Sequence, residues 1–128
     1  FRHPDIDTEV WFVALGSEQY SHSGITAFLD EHADEMKGAV IINLEALGAG
    51  TLSIIEQESS TFKTYRPSSR IKRFVRQASE RSGVTYRTSP LGRRDTPATV
   101  AMARGIQAFT VAGMRWQYCA LFGGKRYC

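Results

Sequence analysis

The sequence predicts one α/β domain with three layers, in which helices cover both faces of a mixed, largely parallel sheet. Apolar runs of strand length recur along the chain and alternate with segments that have an amphipathic helical pattern. These runs are apolar at consecutive residues, which is typical of strands buried on both faces. The chain has 128 residues, 42% of them hydrophobic, and this suits a single domain with a single core.

The first half of the chain predicts a strand, a helix and two further strands. Residues 9–15 (EVWFVAL) are β-branched, aromatic and aliphatic, and Gly16 ends this first strand. From Ile25 to Met36 apolar residues recur at helical spacing, and Ser23 is the predicted N-cap. We predict the next two strands at residues 39–46 and 52–56.

A second helix is predicted between Pro67 and Gly83, because proline and serine open it and glycine closes it. Its predicted inward residues are Ile71, Phe74, Val75 and Ala78. Residues 84–88 predict another strand.

The last predicted helix is short and has clear boundaries. Thr96 and Pro97 form an N-cap and first-turn pair, and Gly105 follows the helix. Residues 106–113 predict the final buried strand, whereas residues 114–128 fit no periodicity.

Charge is distributed unevenly along the chain. Residues 1–62 carry eleven acidic and two basic side chains, and residues 63–94 carry ten basic and one acidic. A basic block of this kind can bind phosphates or nucleic acid. Its candidate side chains are Arg70, Lys72, Arg73 and Arg76. The aromatic residues in the block lack a regular stacking pattern, so we expect the block to face the acidic segment and expect no nucleic-acid partner.

Neither a membrane segment nor a disulfide framework is expected. The longest apolar runs fall far short of the roughly 20 residues that cross a bilayer. The two cysteines, Cys119 and Cys128, are too few for a disulfide framework and wrongly spaced for a zinc knuckle. This leaves the compartment open, with the cytoplasm slightly favoured, and the sequence predicts no oligomeric state.

Polar side chains follow the predicted strands at three places. Ser17, Glu18 and Gln19 come directly after the first strand. Glu45 ends the second strand, and Asp95 precedes the last helix. Because ligands gather at the carboxyl ends of strands in open α/β sheets, we expect these side chains to share one site. Acidic groups that meet there need a positive partner, and a divalent cation is the usual one.

Each of these residues also has a purely structural interpretation. Glu18 can be a solvated turn residue, and Gln19 can be inert. Glu45 can pair with an arginine, since a buried carboxylate without a partner is costly. Asp95 can cap the last helix or pair with a neighbouring arginine.

Three segments, in this order, carry a family resemblance: VWFVALGSEQYSHSGITAF, AVIINLEALGAG and GIQAFTVAG. They resemble the co-catalytic zinc aminopeptidases, which include the bacterial leucyl aminopeptidases and, as a relative, glutaminyl cyclase. In that family, corresponding strands run into Gly-Ala-Glu-Glu, end with Asn-Leu-Asp-Met, and contain Gly-Ile-Pro-Ala. The resemblance spans residues 10–113, the C-terminal part of such a domain. It implies that residues 1–128 are one partial domain with a zinc-exopeptidase-like sandwich.

The resemblance also implies roles for four residues. Glu18 matches the general base that takes a proton from a metal-bound water. Gln19, Glu45 and Asp95 match the region of the zinc ligands. Gln19 replaces a glutamate by a neutral amide, Glu45 replaces a shorter aspartate, and the family's histidine after Asp95 is missing. The remaining ligands of the family lie upstream of the first strand. Because a zinc centre needs three or four good ligands, we expect co-catalytic zinc binding to fail here.

We therefore expect a metallo-aminopeptidase-like domain whose parent reaction removes N-terminal residues from peptides. Zinc is the cofactor of the parent family, and a peptide or amino acid would be the substrate of an active member. Activity of this chain is expected to be impaired. Two alternatives stay open: a non-catalytic homologue that acts as a binding module, and an anion or nucleic-acid binder that uses the basic block.

Overall fold

A computed structural model describes residues 8–17, 21–60, 62–91, 94–119 and 124–127, with side chains up to residue 115. The helices are α1 (Ser23–Glu31), α2 (Ser69–Ser82) and α3 (Pro97–Ala103). The strands are β1 (Val40–Glu45), β2 (Thr51–Ser59), β3 (Thr64–Tyr65), β4 (Arg87–Pro90), β5 (Gln107–Met114), β6 (Trp116–Cys119) and β7 (Gly124–Tyr127). No helix in these described ranges is both long enough and apolar enough to cross a membrane.

Five strands form one mixed sheet in the order β1-β5-β2-β3, and β4 also pairs with β2. β1 is parallel to β5, and β2 is parallel to β4. β2 is antiparallel to both β5 and β3. The sheet is therefore mixed, as predicted, but parallel pairs do not predominate. The reason lies in the connection between β1 and β2, because residues 46–50 are too few for a crossover between parallel strands.

Helices lie on both faces of this sheet. Ala108 of β5 packs in a cluster with residues of α1 and α3, whereas its neighbour Phe109 packs with Ile71 of α2. Successive side chains of a strand point to opposite faces, so α1 and α3 cover one face and α2 covers the other. This arrangement is compatible with the predicted three-layer sandwich. The boundaries of α3 and β5 agree closely with the prediction.

Residues 9–15 do not form the predicted buried strand. They have no regular secondary structure, and Phe12 is 84% exposed. Trp11 instead makes edge contacts with the rings of Phe28 and His32, at centroid distances of 6.3 and 5.3 Å. Leu15 packs on the cluster beneath α1. The segment thus buries part of its apolar surface against a helix, where the sequence pattern predicted strand pairing.

The first helix is shorter than predicted and has a different N-cap. α1 ends at Glu31, and turns replace the predicted last part, although Met36 still packs on the core. The N-cap is His22, in a left-handed conformation without a side-chain cap. The hydroxyl of Ser23, the predicted cap, donates to the carbonyl of Ser17 at 3.3 Å.

Two further apolar surfaces are more exposed than predicted. Among the described strands β1 is at one edge of the sheet, and its residues Val40, Ile42 and Leu44 are 45, 53 and 59% exposed. In α2, Phe74 and Ala78 are exposed, whereas Ile71 and Val75 pack on the apolar cluster of the described core. The tail, for which no element was predicted, contains the β6-β7 hairpin.

Candidate functional site

Several buried polar side chains of the sheet and of the start of α3 gather around Glu58 of β2. Glu58 is fully buried, and so are the surrounding Thr96, Thr99 and Thr110, which we call the hydroxyl cluster. A β-bulge between Ile55 and Gln57 brings Glu58 to this position, because it inserts one extra residue relative to β4. Regular alternation would place Glu58 on the same face as Ile54, which packs against α2.

The hydroxyl cluster holds one oxygen of the Glu58 carboxylate. Thr96 Oγ1 and Thr99 Oγ1 both donate to Glu58 Oε2, the latter at 2.8 Å. Thr96 also caps α3, since its Oγ1 accepts from the backbone N–H groups of Ala98 and Thr99 at 3.1 and 3.3 Å. The second oxygen, Oε1, is buried without a hydrogen-bond partner in the described part of the chain. Among the described residues, hydrogen bonds thus hold only Oε2 of the two carboxylate oxygens.

A chain of hydrogen bonds leads from this cluster to β1. The amide of Asn43 donates from Nδ2 to Thr110 Oγ1 and to Glu45 Oε1, each at 3.2 Å. Thr110 Oγ1 lies 3.2 Å from Thr96 Oγ1. Asn43 therefore links the Glu45 carboxylate at the end of β1 to the hydroxyl cluster around the buried Glu58.

Glu45 is the member of this network that a ligand can reach. It is half-buried at the carboxyl end of β1, where the sequence predicted it, and Ala46 follows it with a left-handed φ of 48°. Its Oε1 accepts from Asn43, and no hydrogen bond to Oε2 occurs in the described ranges. Among the described residues no arginine forms an ion pair with Glu45, and the Asn43 amide holds its carboxylate. Pairing of Glu45 with an arginine outside these residues stays a prediction.

Asp95 lies beside His22 and is not part of the network. His22 Nε2 is 3.4 Å from Asp95 Oδ1, and the Asp95 side chain is 56% exposed. The helix cap beside it is Thr96. Ser17, Ser21 and His22 all have left-handed φ values between 52° and 57°. Such strain in non-glycine residues is costly and is concentrated at functional sites in many proteins.

The described residues do not fit a zinc centre. Glu18 and Gln19 lie outside the described residues, so their predicted convergence with Glu45 stays a prediction. Of the other two sequence-predicted positions, Glu45 is held by Asn43 and Asp95 by His22. Within the described ranges, no three His, Cys, Asp or Glu side chains are grouped closely enough to hold a metal ion. We therefore derive no reaction step through a metal.

Sequence reasoning missed Glu58, Asn43 and the hydroxyl cluster. The spacing of Thr96 and Thr99 was a usable signal, because the two threonines form a capping box at the start of α3. No signal pointed to Glu58, because the predicted strand ended at residue 56 and the bulge has no marker in the sequence.

No protein-family model matches this chain, and no curated protein matches it significantly. The relation to zinc aminopeptidases is accordingly a hypothesis that depends on the three sequence segments.

Proposed function

We propose that this chain is a non-catalytic binding module that captures the amino-terminal segment of an extended peptide along the outer edge of β1. One observation carries the proposal. Among the described residues β1 pairs with β5 only, so its other edge presents main-chain N–H and C=O groups that a further strand can use. Addition of a peptide strand to such an edge is a common mode of peptide recognition.

The side chains of β1 favour a peptide with apolar residues at alternate positions. Ile42 and Leu44 lie beside Phe109 and Val111 of β5 and share a face with Val40. Helix α2 packs on Phe109 and Val111, and Ile42 and Leu44 stay more than half exposed. A strand added next to β1 would place every second side chain beside these residues and cover apolar surface.

Glu45 favours an antiparallel peptide with a free amino terminus. An antiparallel strand begins where β1 ends, so its α-ammonium group would meet the Glu45 carboxylate. The Asn43 amide orients that carboxylate through Oε1 and leaves Oε2 for the ligand. An ion pair at a half-buried position contributes on the order of 1 kcal/mol, which corresponds to roughly fivefold in affinity.

Fluorescence polarisation can test this binding mode with a short peptide that carries valine at alternate positions and a fluorophore at its carboxyl end. We expect N-terminal acetylation of the peptide, or Glu45→Gln in the protein, to weaken binding roughly fivefold. Ile42→Lys is expected to abolish it, because a lysine on an edge strand opposes strand addition. The control variants are Glu80→Gln on α2 and Val84→Lys, whose parent valine is 52% exposed. Equal affinity for the free and acetylated peptides would contradict amino-terminal recognition, and unchanged binding by Ile42→Lys would exclude the β1 edge.

Metal analysis separates this proposal from the peptidase hypothesis. After dialysis against metal-free buffer we expect sub-stoichiometric zinc by elemental analysis, because a zinc centre needs at least three good ligands. One or two tightly held zinc ions per chain would instead favour an aminopeptidase. In that case an amino-acid anilide should be hydrolysed, and Glu18→Gln should abolish the hydrolysis.

A further inference from the structure

A second candidate binding region lies at the opposite end of the sheet from Glu45. It is a pocket of about 190 Å³ that Tyr65, Arg66, Ser68, Met102, Gln107 and their neighbours line. Gln107 is the first residue of β5 and Tyr65 the last of β3, so the pocket opens beside the start of β5. None of the residues that line it is acidic.

The side-chain hydrogen bonds at the pocket leave several donors available. Ser68 Oγ donates to Gln107 Oε1 at 2.6 Å and accepts from the backbone N–H of Ile71. Arg66 donates from Nη2 to Gln57 Oε1 at 2.7 Å, which is its one side-chain hydrogen bond in the described part of the chain. The groups left for a ligand are therefore the remaining guanidinium N–H groups of Arg66, the Nε2 amide of Gln107 and the hydroxyl of Tyr65.

Charge favours an anion at the same place. Arg66 contributes a guanidinium, and the Lys63 ammonium lies 5.2 Å from the centre of the Tyr65 ring. An arginine guanidinium matches the geometry of a carboxylate, since its N–H groups can donate in pairs. Met102, Ile106 and Ala108 form the apolar wall of the pocket.

From this combination we infer that the pocket binds a small carboxylate with a short aliphatic tail. The carboxylate oxygens accept from Arg66 and Gln107, and the tail contacts the wall formed by Met102, Ile106 and Ala108. The inference is independent of the β1 edge, because no residue of the pocket belongs to β1 or to the hydroxyl cluster.

NMR titration of the ¹⁵N-labelled protein with butyrate tests this inference through the side-chain amide signals of Gln107. We expect saturable shifts of these signals with butyrate, and at least tenfold weaker binding of the uncharged isostere butyramide. Inorganic phosphate is the second comparison, because it has the charge without the tail. Phosphate binding as tight as that of butyrate, or equal binding of butyrate and butyramide, would overturn the inference.

Two variants of Arg66 test whether its guanidinium supplies the positive charge that binds butyrate. Arg66→Met is expected to weaken butyrate binding at least tenfold, and Arg66→Lys to restore part of it. Arg70→Met is the matched control, since the Arg70 guanidinium lies over the ring of Phe74 at 5.5 Å and does not line the pocket. If Arg66→Met fails to fold, Met102→Glu replaces it, because a carboxylate on the apolar wall should repel the ligand. Unchanged butyrate affinity in both Arg66→Met and Met102→Glu would exclude this pocket.

Discussion

Replacement of Thr96 by valine is expected to lower the free energy of unfolding by about 2.5 to 4 kcal/mol. Valine has nearly the same shape but lacks the hydroxyl that caps α3 and donates to Glu58. Loss of an N-cap costs about 1 kcal/mol. A hydrogen bond to a charged group contributes about 1.5 to 3 kcal/mol, and here its loss leaves a buried carboxylate with one donor. Urea denaturation followed by circular dichroism measures the change.

Two controls test whether the loss comes from the Thr96 hydroxyl. Thr96→Ser keeps the hydroxyl, and serine is at least as good a cap as threonine, so this variant should lose less than about 1 kcal/mol. Thr51→Val makes the same chemical change at an exposed position of β2 and should stay within about 0.5 kcal/mol of the parent protein. If Thr96→Val costs no more than a lost cap, the bond to Glu58 does not stabilise the fold.

Replacement of Gly113 by alanine is the second change with a large expected effect. A Cβ atom on Gly113 would collide with the carbonyl oxygens of Ala46 and Ala49, which lie in the turn after Glu45. Since both are backbone atoms, the turn itself must move. We expect a loss of about 3 kcal/mol, the upper part of the range for overpacking. This corresponds to a fall in Tm on the order of 10 °C, which differential scanning calorimetry can measure.

Gly48→Ala is the matched control because it lies in the same turn. No atom comes within 4 Å of a Cβ built there, and the backbone at Gly48 is not left-handed. Alanine at such a position reduces the freedom of the unfolded chain, so Tm should be unchanged or slightly higher. Similar losses in both variants would mean that the contact between Gly113 and the turn does not limit stability.

Local signals explain the parts of the fold that the sequence predicted well. Thr96, Pro97 and Gly105 determine α3 within a few residues, and the apolar run after Gly105 gives β5. The start of α2 follows in the same way from Ser68, whose hydroxyl accepts from the N–H of Ile71. In these cases the residues that define each boundary are next to it in the sequence.

The prediction failed where the outcome depends on a distant partner. Residues 9–15 have the pattern of a buried strand, yet Trp11 contacts Phe28 of α1 and His32, the C-cap of that helix. β1 has an equally apolar sequence and does form a strand, but its terminal position leaves Ile42 exposed. An apolar run indicates that burial is favourable, and it does not say which surface covers the run.

The candidate site was predicted in part. Glu45 lies at the end of β1, as the pattern of strand ends indicated. Asp95 pairs with His22, a contact between two loops that residue spacing cannot reveal.

The extra residue in β2 has a consequence for the composition of the whole interior. Side chains after the bulge point to the face opposite to the one that regular alternation from Ile54 would give them. Glu58 thereby lies in the layer that contains the threonines, on the face opposite to Ile54 and the apolar cluster beneath α2. Gain or loss of a single residue at this point would turn Glu58 to the face beneath α2. The length of β2 therefore constrains which side chains after the bulge face each helical layer.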